Sequence, residues 1–163
     1  MIILLLGLFH LFHCPMLIFI PFWINDSYRV DIIYILYFFL IMFIYTFLNG
    51  ECPISYISKK ILEPHYIAGT DITSYIEMKY IISNDMIIQY YFGLTTILYL
   101  LTLGFVIYRA NIMCFILSIP FFIIGIYFLL IRKIINTTKK RFLLFQEITK
   151  YVILLTMYIL ILL

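Results

Sequence analysis

His10, His13 and Cys14 are the side chains whose types and spacing come nearest to a ligand set. Separations of three and four residues put them on adjoining parts of one helical face. Imidazole and thiolate are good zinc or copper ligands, and a histidine inside a membrane can hold haem. A second helix would have to supply the missing ligands, and no other apolar run offers His or Cys at the same depth. The plain alternative is two neutral histidines hydrogen-bonded between helices.

Polar chemistry gathers again at residues 49–60, N-G-E-C-P-I-S-Y-I-S-K-K, with His65 and Gly69 following. Cys52 and His65 are ingredients of a thiol enzyme. Two such residues in one loop, with no third orienting group in view, make no catalytic signature. Cys52 also stands beside a membrane-length run, where cysteines are commonly acylated. Glu51 is placed to pair with Lys59 or Lys60 across the bend. The plainest reading is a cap that turns the chain onto a surface. No H-E-x-x-H, G-x-S-x-G or Walker pattern is present. The three cysteines, Cys14, Cys52 and Cys114, make no disulfide framework, and no pair is expected near in depth.

These residues must be held by membrane helices. Of 163 residues, 66% are hydrophobic and 12% charged, and the mean hydropathy is +1.13. A soluble domain of this size has no interior for so much apolar surface. Runs long enough to span a bilayer lie at about 2–24, 32–48, 86–108 and 112–131, and a fifth at 142–163. The fold class is therefore an all-α, multi-pass bundle forming one integral membrane domain. The first run lacks the basic start and small-residue cleavage site of a signal peptide. No span holds a charged pair at mid-depth, which argues against an ion pump or proton-coupled carrier. A net charge of +3, not spread along one face, gives no reason to expect nucleic acid.

The polar segment 49–85 joins spans two and three. Asn49-Gly50 reads as a helix end, Gly supplying a left-handed conformation. Pro53 fits the first turn of a short helix. Ile54, Ile57 and Ile61 recur on one face, with Ser55, Ser58 and Lys59 opposite, so an amphipathic helix on the membrane surface is expected. Ser74 and Glu77 have the spacing of a capping box for a further short helix. Residues 25–31 are read as a polar turn. Loops after spans two and four hold eight Lys and Arg against two, Arg29 and Arg109, in the others. That bias places the N-terminus and the basic loops in the cytoplasm and the C-terminus outside.

The loop E-C-P-I-S-Y-I-S-K-K, followed by E-P-H-Y-I-A-G-T-D, resembles a segment of small membrane proteins of large DNA viruses, E-C-x-x-(S/T)-Y-x-x-K-K and then N-P-x-Y-x-x-G. It is also similar to the C-P-L-T-x-L-E segment of a bacterial four-helix membrane family, with Ser58 where that family has an acidic residue. The resemblance covers roughly residues 49–75 and implies a multi-pass membrane fold and a viral origin, with no activity or cofactor attached. The function the sequence favours is a non-enzymatic structural or assembly role, with membrane lipid and other membrane proteins as partners. A redox, haem or metal protein using His10 and His13 is the alternative, and a lipid-modifying enzyme or carrier a further one.

Overall fold

The computed structural model describes residues 1–24, 27–110, 119–120, 123–127 and 139–162, with the backbone alone for 139–144. In chain order the helices are α1 (Ile2–Trp23), α2 (Tyr28–Phe47), α3 (Pro53–Leu62), α4 (Ile76–Lys79), α5 (Asp85–Arg109) and α6 (Lys139–Leu162). Further helical turns lie at 119–120 and 123–127. α1, α2, α5 and the Phe145–Leu162 part of α6 are each long and apolar enough to cross a membrane. The protein is an all-α, multi-pass helical bundle. Apart from the two pieces just named, the expected span at 112–131 lies outside the described residues, as do Cys114, Arg132 and Lys133.

α2 is the central helix. Ile35, Phe38 and Phe39 are fully buried against Leu103 and Val106 of α5 and Ile153 of α6. α1 also packs on α5. Of the polar turn expected at 25–31, residues 25–26 lie outside the described residues, and 28–31 belong to α2. Asp31 lies inside α2, buried, because Arg109 at the end of α5 reaches it: Nε donates to Asp31 Oδ2 at 3.0 Å, and a guanidinium N–H pairs with the other oxygen. Arg109 Nη1 also donates to the Pro21 carbonyl at 2.9 Å, so one guanidinium ties together three helices at this end.

α1 carries two internal prolines, Pro15 and Pro21. Each lacks the N–H that would meet the carbonyl four residues earlier. Inside a bilayer those carbonyls need another donor. Both find a tyrosine: the Tyr91 hydroxyl of α5 donates to Leu11 O, and the Tyr34 hydroxyl of α2 donates to Leu17 O at 2.8 Å. The prolines thus become points at which α1 is fastened to its neighbours.

At the opposite end α2 closes with Asn49 and Gly50 both at positive φ, 54° and 85°. Gly50 N–H returns to Tyr45 O at 2.8 Å. Gly69, φ 83°, lies directly over Asn49, where any Cβ would collide with the Asn49 side chain. Asn49 Nδ2 donates to Ala68 O at 3.0 Å, and its Oδ1 accepts from Gln146 of α6 at 3.1 Å.

α3 is the amphipathic helix expected in this loop, with its polar face turned into the protein. Ser55, Ser58 and Lys59 are the buried face, while Ile57, Ile61 and Leu62 are exposed. In a membrane the outward surface is the apolar one, and the polar face turns inward where partners await it. The capping box is absent. α4 has no side-chain cap bond, and Glu77 is instead fully buried.

Candidate thiol, imidazole and carboxylate site

The segment between α2 and α5 folds back against α1, with α3 and α4 both packed on it. Two buried polar clusters hold it there. In the first, Glu51 Oε1 accepts from Lys59 Nζ at 2.7 Å and Tyr66 OH at 2.9 Å, and Oε2 accepts from Gly69 N–H at 2.9 Å. Lys59 also donates to the Asp71 carbonyl. Burial lowers the Lys59 pKa, but the Glu51 carboxylate more than offsets this and holds it above the ordinary lysine range. Three of the conspicuous loop residues, Glu51, Lys59 and Gly69, are thereby accounted for as one fold-holding cluster. Lys60 donates to Tyr66 O at 3.0 Å and closes its rim.

The second cluster has different chemistry. His10 of α1 bridges two groups of the loop: its Nδ1 donates to Glu77 Oε1 at 2.8 Å, and its Nε2 faces Cys52 Sγ at 3.4 Å. Ser55 Oγ donates to the same Glu77 oxygen at 2.6 Å. His10, Cys52, Ser55 and Glu77 are all at most 6% exposed. α4 comes close enough for this only because residue 7 is glycine: a Cβ there would fall within the contact radius of the Glu77 carbonyl oxygen. The ring of His10 is walled by Phe92, with centroids 4.5 Å apart, and Tyr75 stacks on Phe92 at 4.1 Å.

Cys52 occupies the N-cap of α3, and Pro53 the first helical position. Tyr56 N–H bonds Cys52 O at 2.8 Å, closing the first turn of α3, and the Ser55 N–H lies on the Cys52 sulfur. Burial pushes the Cys52 thiol up. The charge and hydrogen bond of the His10 ring, aided by Tyr45 and the Ser55 N–H, outweigh that and hold it below the ordinary thiol range. Burial likewise raises the Glu77 carboxyl, and the hydrogen bonds from His10 and Ser55 outweigh it and hold it below its usual value. A thiol at a helix N-terminus, an imidazole on it, and a carboxylate on the far nitrogen form the arrangement that activates a sulfur nucleophile.

The sulfur faces an apolar cavity of about 290 Å³ between α1, α2 and α5, and Cys14 and His13 line the same space. Of the three residues expected to share a metal, Cys14 stays beside the His10 ring and His13 turns away. His10 turns to Glu77 and Cys52, whereas His13 Nε2 bonds Tyr37 OH at 2.7 Å. No group of three or more His, Cys, Asp or Glu side chains suited to a metal ion occurs among the described residues. His65, the loop's own histidine, is exposed and takes no part. Cys14 and Cys52, expected at different depths, line one cavity because the loop sinks to the level of His10; both are free thiols. Glu77 is the member that sequence reasoning assigned elsewhere, and the pairing of Cys52 with His10 across 42 positions left no local signature. Comparison with family models, curated proteins and solved structures finds no match to this chain.

Proposed function

We propose that the protein is a membrane-embedded thiol enzyme of acyl transfer, with Cys52 as nucleophile, His10 as general base and Glu77 as the group that orients the ring. The carrying observation is the unbroken path Cys52 Sγ, His10 Nε2, His10 Nδ1, Glu77 Oε1, with contacts of 3.4 and 2.8 Å, opening on an apolar cavity. Glu77 fixes the ring so that Nε2 faces sulfur, and His10 holds the thiol proton. The sulfur attacks the carbonyl carbon of an acyl ester or thioester. A C–S bond forms, the bond to the leaving group breaks, and the proton on His10 passes to that leaving group. Water or another hydroxyl then takes the acyl group, giving its proton to His10 and restoring the thiolate.

Incubating nanodisc-embedded protein with an alkyne-tagged fatty acyl thioester tests this. Peptide mapping should find a hydroxylamine-labile adduct on Cys52, formed about 10²-fold more slowly in His10→Gln. An unlabelled Cys52, or an equal rate in the variant, would reject it.

A structural or assembly role is the second reading. It is favoured by the sharing of Glu77 Oε1 between His10 and Ser55, which fastens α1, α3 and α4 whether or not sulfur reacts. The loop-charge bias supports placing the N-terminus and the 49–85 segment on the cytoplasmic side. Labelling of Lys60 by a membrane-impermeant amine reagent in right-side-out against inverted vesicles tests that placement.

A further inference from the structure

We propose that the cavity beside Cys52 is the chain site for a bilayer-borne acyl lipid, which enters sideways between α1 and α2. The inference rests on the acyl-transfer reading and adds to it the source and seating of the substrate.

The cavity is long in one direction. Its walls run from Phe9 to Leu17 on α1, from Tyr45 back to Tyr37 on α2 and from Phe92 to Leu100 on α5. At ~1.5 Å per residue that is about 12 Å along the helices. Cys52 and His10 lie at the loop end, and the far end points into the apolar middle of the bundle. A membrane lipid is laid out in the same sense, with its ester carbonyls at the interface and its chains running inward. A chain lying in the cavity would present its carbonyl to sulfur without leaving its normal depth. A site for a water-soluble ester would need no such inward extension. Its volume of about 290 Å³ is about twice that of a ~150 Å³ cavity able to hold benzene, so it accommodates a chain segment of roughly ten carbons.

The route in is lateral. Phe9, Leu40 and Ile44 line the cavity yet are 56%, 43% and 37% exposed, so the same side chains that face the cavity also face lipid. Elsewhere α1 packs on α3, α4 and α5, and α2 packs on α5 and α6. Over the cavity the α1–α2 seam is crossed by the exposed His13–Tyr37 hydrogen bond, 2.7 Å long, and closed at the far end by the Tyr34 hydroxyl on Leu17 O. A contact of that kind can open for a chain at small cost. This gives His13 a role that the metal reading did not.

Two measurements test the proposal. First, wild-type protein in nanodiscs containing a phospholipid with a diazirine in its acyl chain is irradiated and digested. Adducts should concentrate on peptides covering residues 9–17 and 37–45. Second, Ile41→Trp, which fills the cavity, should slow acylation of Cys52 by a palmitoyl donor by roughly tenfold or more, since several chain methylenes lose their burial. A butyryl donor, whose short chain needs little of the cavity, should be slowed far less. Equal rates with both donors in the variant, or adducts spread over all lipid-facing helices, would overturn the chain site while leaving the sulfur chemistry standing. If neither donor labels wild-type Cys52, the acyl-transfer reading fails, and the photo-adducts alone decide whether a lipid chain occupies the cavity. A variant that loses both donors has misfolded, and the wild-type photo-adducts again decide.

Discussion

Gly7→Ala should disable the site from a residue that carries no chemistry. The added Cβ would overlap the Glu77 carbonyl oxygen and come within 3.0 Å of Ile81 Cδ1. Restoring an ordinary C···O separation of ~3.3 Å requires α4 to retreat by about 1 Å. The His10–Glu77 bond is 2.8 Å now, and such a retreat takes it beyond hydrogen-bond range. Overpacking of this kind costs about 1–3 kcal/mol, and a lost hydrogen bond to a charged group about 1.5–3 kcal/mol. The docked loop should therefore be weakened by about 2.5–6 kcal/mol. A misplacement of ~1 Å costs about 10²-fold in rate where geometry matters. The assay is acylation of Cys52 in nanodiscs, with thermal unfolding alongside it. Gly104→Ala is the control, because nothing lies within 4 Å of a Cβ there, and it should leave both readouts unchanged. If Gly7→Ala acylates at the wild-type rate, the close approach of α4 to α1 does not position the site, and the reasoning fails.

Glu51→Gln should strand the buried Lys59 ammonium, at a cost of about 3–5 kcal/mol, and should expose the 59–60 bond to trypsin. Adding Lys59→Met should recover most of that loss, and a double variant as weak as the single would contradict the pairing. Because the Lys59 pKa is raised on folding, its contribution is complete at neutral pH and should disappear only as pH climbs through the raised value. The Glu77 pKa is lowered, so its contribution should persist at neutral pH and vanish on acidification below the ordinary carboxylate range, as pH-dependent unfolding would record. Tyr34→Phe should cost about 1–3 kcal/mol by leaving Leu17 O without a donor. In a Pro21→Ala background the backbone N–H returns and the penalty should shrink, which a double-mutant cycle would measure.

The membrane class and the helix end at Asn49-Gly50 were legible because hydropathy and positive-φ glycine are local signals. The inward turn of α3 was not. The period of Ile54, Ile57 and Ile61 marks an apolar face, but whether that face meets core or lipid depends on what surrounds the helix. In this bundle the outer medium is apolar, so Ser55 and Lys59 turn inward. The same difficulty hid the site. Cys52 was read against His65, its neighbour in sequence, whereas its partner His10 comes from the first helix. Glu77 looked like a capping residue because Ser74 stands three positions before it. Gly7, which lets the loop reach His10, was one small residue in a greasy run. Sequence spacing exposes partners on one helix, while this site is assembled from α1, α3 and α4.

The central claim is that His10 activates Cys52, and the pH dependence of Cys52 alkylation tests it most directly. The groups around the sulfur are His10, Tyr45, the Ser55 N–H and, through His10, Cys14 and Glu77. The ring holds the thiol below its ordinary range, so wild-type alkylation by a small maleimide, followed on the Cys52 peptide, should set in at lower pH than that of a free cysteine. In His10→Gln the burial of Cys52 is no longer opposed by the ring, and the rate should drop at neutral pH and climb steadily into the alkaline range. Profiles that coincide, or a wild-type curve that rises like that of a free cysteine near pH ~8.5, would contradict the account.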